Sequence, residues 1–257
     1  MAELQPETDA TQAQGQVEAE ATQVEAQPEP DATQADNQSE TGAPQAEVGV
    51  GPWPGGPENW PTEDHYDPEL LAEGDRRNVL DEYRYWKLSA IVADLDTKRR
   101  GFHVAIENLG HDFNIGSIIR TANSQGVATV HIVGRKRFNR RGAMVTDRYL
   151  HLFHHPTVED FVKWCEAAGV NLVGIDILPG AKPIEAEALP EQAMLVFGTE
   201  SEGLSAEMLA ACPQVRYIQQ YGSTRSMNVG HAAAIAMWAW NQQCNAGELV
   251  ASNPHSK

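Results

Sequence analysis

The sequence predicts one α/β domain built on a parallel sheet in roughly its last 180 residues, preceded by a helix and a disordered acidic tail. Three observations carry this. From Gly101 onward, short unbroken apolar runs alternate with segments of helical periodicity, the pattern of strands covered on both faces by helices. The charge is uneven: residues 1–75 hold 18 Asp or Glu and no Lys or Arg, which leaves 18 acids and 19 bases for the rest of a chain of net charge −17. No apolar run approaches the roughly 20 residues of a bilayer-spanning helix.

Residues 1–56 are rich in Ala, Gln, Glu, Thr and Pro and almost lack large apolar side chains. Such a segment cannot bury enough surface to offset its conformational entropy, so it is expected to be disordered. It fits a solubilising tail, or an acidic mimic of nucleic acid that competes for a basic face. It has neither the charged apolar leader of a secreted chain nor the Arg-rich character of a transit peptide. Residues 57–75 read as a Pro- and Gly-rich linker, with Trp53 and Trp60 available to pin it. Residues 76–100 read as a helical extension capped by Asp75. Val79, Tyr83, Trp86 and Ala90 recur at helical spacing, with Arg76, Arg77, Arg84 and Lys87 on a partly basic exterior.

The domain proper is expected over residues 101–245, with a flexible end at 246–257. Phe102–Ile106 and Thr129–Val133 read as strands. Between them Asn114 is placed to cap a helix that Gly126 ends. Thr157 with Asp160 has the spacing of a capping box for a helix stopped by Gly169. Asn171–Ile177, Met194–Phe197 and Val215–Gln219 complete five strands. Ser205 caps a short helix before Pro213, and an Ala-rich helix runs from Ser226 to about Gln243. Cys165, Cys212 and Cys244 are scattered and odd in number, which fits buried thiols in a reducing cytoplasm rather than disulfides or a zinc site.

In a parallel sheet the carboxyl ends of the strands carry the ligand site. Three loops there stand out: Asn108 to Ala122, Phe197 to Leu204, and Ser223 to Ala234. No GxGxxG follows a strand and no GxxxxGK[ST] is present, so dinucleotide and P-loop binding are poorly supported. Gly198 and Gly203 allow a tight backbone loop lined by Glu200 and Glu202, more compatible with a cationic or hydroxylated ligand than with polyphosphate. Arg120, six residues after Asn114, can hold a phosphate in a bidentate pair.

Taken in order, these loops resemble the three motifs of the SpoU (TrmH) family of SPOUT methyltransferases. The first, N-x-G-x-x-x-R-x-A, is met by Asn114, Gly116, Arg120 and Ala122. The second, G-x-E-x-x-G-L, is met by Gly198, Glu200, Gly203 and Leu204. The third, S-L-N-V-x-x-A, is met by Ser226, Met227, Asn228, Val229 and Ala232, with Met227 in place of the usual Leu. A Met for a Leu conserves volume. The resemblance covers about residues 101–243, while Arg141–His151 departs from the family's Ser-Gly-Ala version of that region.

The resemblance implies a trefoil knot in the C-terminal half of the domain, a homodimer, and S-adenosylmethionine as cofactor. Its contacts carry over to Gly198, Ile218, Met227 and, less directly, Ile175. The implied reaction is methylation of a ribose 2′-hydroxyl in tRNA or rRNA, with Arg120, Asn114, Glu200, Ser226 and Asn228 as the catalytic set. An Arg is hard to deprotonate because its pKa exceeds about 12. Arg120 therefore suits a phosphate clamp and alkoxide stabiliser, with the final base unassigned. Each residue also has a plainer role: Asn114 and Ser226 as helix caps, Arg120 as the partner of a local acid.

Arg135, Lys136, Arg137, Arg140 and Arg141 lie within seven residues around Phe138, an expected RNA-backbone contact with a ring available for stacking. His151, His154 and His155 lack the spacing of a metal motif, so no metal is expected. The partners expected are RNA and a second copy of the chain, with no membrane. The competing reading is a non-catalytic RNA-binding protein with a vestigial cofactor pocket.

Overall fold

The computed structural model describes residues 22–23, 49–108, 114–139, 141–199 and 202–245. The chain divides into two compact units, one of residues 25–97 and one of residues 1–24 with 98–257.

The smaller unit departs from the sequence expectation. Residues 57–75 are not a linker: α1 (Pro68–Glu73) is capped by the Asp67 carboxylate and ends at Gly74, whose φ of 95° favours glycine. The Trp53 ring packs edge-on against Tyr66 and Tyr85. Nor do residues 76–98 form one helix. The helix α2 spans only Leu88–Asp96, after a single 3-10 turn at Asp81–Tyr83. Asp75 is no cap. It pairs with Val50 in an antiparallel bridge, and its fully buried carboxylate accepts from the Arg77 backbone and guanidinium and from Tyr85 N. Burial alone pushes that carboxyl up, but the hydrogen bonds from Arg77 and Tyr85 and the charge of Arg77 together hold it below its usual value. Tyr85 at φ 63° breaks the helical path. The basic exterior is partly consumed, since Arg77 and Arg84 turn to Asp75, Asp81 and nearby carbonyls.

The larger unit is the expected α/β domain. Its strands, in chain order, are β1 (Thr22–Gln23), β2 (His103–Asn108), β3 (Val130–Gly134), β4 (Leu152–His155), β5 (Asn171–Ile175), β6 (Lys182–Pro183), β7 (Ala193–Phe197) and β8 (Gln214–Tyr217). They lie in the order β1-β4-β3-β2-β7-β5-β8-β6. All pairs are parallel except β1 with β4. β4 was not among the five expected strands, because its sequence, Leu-Phe-His-His, reads as a histidine cluster rather than an apolar run.

The helices are α3 (Ile115–Ser124), α4 (Val158–Ala168), α5 (Ala206–Ala211) and α6 (Val229–Asn245). Thr157 and Ser205 cap α4 and α5 as their spacing predicts, and Gly169 ends α4 in the left-handed region. Strand residues alternate between two cores. Val104, Ile106, Ile132, Val173, Leu195 and Phe197 pack with α3 and α6. Ala105, Val133, Leu172, Met194 and Val196 pack with α4 and α5. The central strand β7 is buried at every position, which explains its unbroken apolar sequence.

Three buried or part-buried histidines share the second face. His103 Nδ1 hydrogen-bonds with Thr129 Oγ1 at 2.6 Å, that hydroxyl with His131 Nε2 at 2.7 Å, and His131 Nδ1 with His155 Nε2 at 2.8 Å. Trp164 of α4 lies over His131 at 4.2 Å between ring centres. His154 bonds instead with the Gly134 carbonyl. The histidines of β4 are thus engaged with protein partners.

Candidate cofactor and RNA site

A cleft of about 350 Å³ opens at the carboxyl ends of β5, β7 and β8. The four residues expected to contact a cofactor, Ile175, Gly198, Ile218 and Met227, all line it, and so does Ser226. They come from three strand ends and the loop before α6, so the sheet itself brings them together.

Backbone closeness shapes the cleft floor. Thr199 and Gly203 form a two-bond bridge, each donating its N–H to the other's carbonyl at 3.0 Å. A Cβ on Gly198 would lie 2.1 Å from the carbonyl carbon and oxygen of Gly203, and Gly203 itself sits at φ 71°. Both positions therefore require glycine. Asp176 pins this turn to the end of β5, its carboxylate accepting from Ile177 N at 2.7 Å and Leu204 N at 3.0 Å. Asp176, Thr199, Tyr217 and Arg225 line the cleft without having been singled out in the sequence. For Asp176 a signal existed: it is the acid directly after the strand residue Ile175.

The first and third motifs meet beside the cleft. Asn228 donates its side-chain amide to Oδ1 of Asn114 at 3.0 Å. Its own Oδ1 accepts from Gly230 N at 2.9 Å and His231 N at 3.3 Å, which makes Asn228 the cap of α6. The helix therefore starts at Val229, not Ser226, and Ser226 is left to the cleft. Asn114 occupies the cap position of α3 but makes no side-chain cap bond. A Cβ on Gly230 would press on Asn228 Oδ1, Ser117 Oγ and Asn114 Oδ1, so α3 and α6 meet closely here.

Arg120 is exposed on α3, one helical turn beyond Ser117, and is not part of the cleft lining. Glu200 lies outside the described residues, as does Arg140 of the basic segment. Arg135, Lys136 and Arg137 are exposed. Their turn is held by Asn108, whose amide donates to the carbonyls of Arg135 at 2.6 Å and Arg137 at 3.1 Å. Arg141 opens a 3-10 turn (Arg141–Ala143). That turn abuts α3 so tightly that a Cβ on Gly116 would lie 2.7 Å from Ala143 N. The basic segment is thereby set against the first motif. Phe138 is half-buried and packs against the core with part of its surface. Among the described residues no group of three or more His, Cys, Asp or Glu could hold a metal, and no helix is long and apolar enough to cross a membrane.

Comparison with known proteins gives a consistent set of likenesses. The SpoU rRNA Methylase family matches residues 101–238. A tRNA (guanosine(18)-2′-O)-methyltransferase of Borreliella burgdorferi is 27% identical over 156 residues, which cover 60% of this chain and 72% of that protein. The 23S rRNA (guanosine(2553)-2′-O)-methyltransferase RlmP of Bacillus subtilis is 30% identical over 129 residues, 49% of this chain and 52% of that one. The crystal structure of the SpoU methyltransferase AviRb from Streptomyces viridochromogenes with the cofactor AdoMet superposes with a TM-score of 0.53 at 25% identity, over 58% of this chain and 63% of AviRb.

Proposed function

The chain belongs to the SpoU rRNA Methylase family, and on that premise we propose that it methylates a ribose 2′-hydroxyl of tRNA or rRNA, with S-adenosylmethionine as donor. The observation that carries this is the convergence of Ile175, Gly198, Ile218 and Met227 on one cleft. The relatives named for guanosine 2′-O-methylation act on both RNA classes, and AviRb binds the same cofactor.

The residues present fit that donor. Gly198 and Gly203 let this turn close on itself and on Asp176 where a Cβ would clash, and the backbone so drawn to the cleft can offer amides and carbonyls to an adenine edge. Ile218 and Met227 supply apolar faces for the purine, and Ile175 closes the floor. When bound, the donor supplies a sulfonium methyl already activated for transfer. The chain's task is then to place the ribose and help remove its proton. Arg120 clamps the adjoining phosphate and stabilises the developing alkoxide, as a permanently charged guanidinium can. Asn114 and Asn228 fix the loops on either side, Ser226 faces the reacting nucleotide, and Glu200 braces the second motif. Arg135, Lys136, Arg137, Arg140 and Arg141 hold the RNA backbone.

The trefoil threading and the homodimer of the family belong to the same reading. The first rests on the family match, and the bond from Leu204 N to Asp176 holds the loops after β5 and β7 together as such a fold needs. The second is supported by α6, on which His231, Ile235, Trp238 and Gln242 recur every three or four residues and are all exposed, Trp238 by 57%. A cytoplasmic location belongs to the same reading, and an RNA substrate supports it.

The test is titration with S-adenosylmethionine followed by transfer of labelled methyl to total RNA and digestion to nucleosides. Saturable binding and a 2′-O-methylnucleoside product are expected. Binding without transfer would instead favour the non-catalytic RNA-binding reading.

A further inference from the structure

Tyr221 is the most exposed large apolar side chain among the described residues, at 93%. It lies in the loop between β8 and α6. Gln220, just before it, and Arg225, four residues after it, both line the cleft, so this loop forms the cleft's rim. Tyr221 itself stands outside the cleft lining, to which Ile177, 49% exposed, belongs. The Tyr221 ring is almost wholly presented to solvent beside residues that line the cleft.

The occupant can be argued from the chemistry of the rim. RNA presented as a loop, bulge or single strand bares base faces, which aromatic side chains stack against. A phenol ring offers one that tolerates any base. The exposed cation Arg225 suits the adjoining backbone, whereas Glu202, also in the lining, disfavours phosphate beside it. We propose that Tyr221 is the platform on which a nucleobase of the methylated RNA strand stacks at the mouth of the cleft, with Arg225 beside the backbone. This inference rests on the methyltransferase reading.

The experiment uses the full chain, S-adenosylmethionine and deproteinised total RNA as methyl acceptor. Tyr221→Ala should raise the RNA concentration at half-saturation on the order of 5- to 100-fold, the range expected for one lost stacking contact. Donor affinity and the rate at saturating RNA should stay near those of the parent chain. Tyr221→Phe should restore half-saturation to within about twofold, because the ring and not the hydroxyl does the stacking. An unchanged half-saturation for the alanine variant overturns the proposal, as does a phenylalanine variant equally impaired. A change in molecular mass or in donor affinity assigns Tyr221 to the subunit contact or the cofactor pocket and also overturns it. If the parent chain itself transfers no methyl to RNA, it is the proposed function that fails, a result distinct from all of these.

Discussion

Asn228 and Asn114, 114 positions apart, are joined by a 3.0 Å side-chain hydrogen bond that ties the loop before α6 to the start of α3. Because Asn228 also caps α6 through its Oδ1, one side chain fixes both the helix and the neighbouring motif. Asn228→Ala should cost about 1–2 kcal/mol, the sum of a lost cap and a lost amide bond, and Asn114→Ala about 1 kcal/mol. Denaturant unfolding of the two single variants and the double should show the double to be milder than additive. Strict additivity would mean that the bond contributes nothing.

Gly198 leaves no room for a methyl group against the Gly203 carbonyl. Gly198→Ala should therefore spread the turn and reduce S-adenosylmethionine affinity at least tenfold, read by calorimetry. Retained affinity in a folded variant would remove Gly198 from the cradle.

Arg120 stands on the exposed side of α3 and does not line the cleft. Arg120→Ala should leave donor affinity nearly unchanged while abolishing transfer to RNA, measured as incorporated label. Normal turnover by this variant would refute its clamping role.

The turn that carries Arg135, Lys136 and Arg137 depends on the buried Asn108. Replacing the three bases by Gln should flatten the dependence of log affinity on log salt by about two units, if each contacts one phosphate. Asn108→Ala should weaken RNA binding without changing donor affinity. An unaltered salt slope in filter binding would place the RNA elsewhere.

The histidine row of β2, β3 and β4 gives a pH dependence. Burial lowers His103 to about 4 and His155 to about 4, in the latter case with help from the charge of His154. Burial, then the neighbouring His155 and His103, holds His131 well below its usual value. In the unfolded chain such groups titrate near 6.5. As pH falls below that value the unfolded chain takes up protons that the folded chain excludes. Stability is therefore full above about pH 6.5 and is lost progressively towards about pH 4. The Tm should drop by on the order of 5 °C or more between pH 7 and pH 5. A scan that is flat over this range contradicts the arrangement.

Much of the site could be read from residue order alone. β2, β3, β5 and β7 announce themselves as apolar runs because both their faces are buried, and Thr157, Gly169 and Ser205 mark helix ends by local chemistry that needs no distant partner. Ile175, Gly198 and Ile218 fall at strand ends, where a parallel sheet places its ligand, while Met227, in the loop before α6, is assigned only through the family resemblance. Local periodicity misled where distant groups decide. Val79 to Ala90 repeats at helical spacing, yet the Asp75 carboxylate draws in Arg77 and Tyr85 N and breaks the path.

Only the tertiary structure could show that Asn228 rather than Ser226 caps α6, that Phe138 packs against the core, and that Leu152–His155 is a strand completed by a histidine chain from its neighbours. Each of these depends on a contact between segments far apart in sequence. Side-chain spacing records what a residue prefers within a few positions, whereas the partner that wins is chosen by how the sheet and helices close on one another.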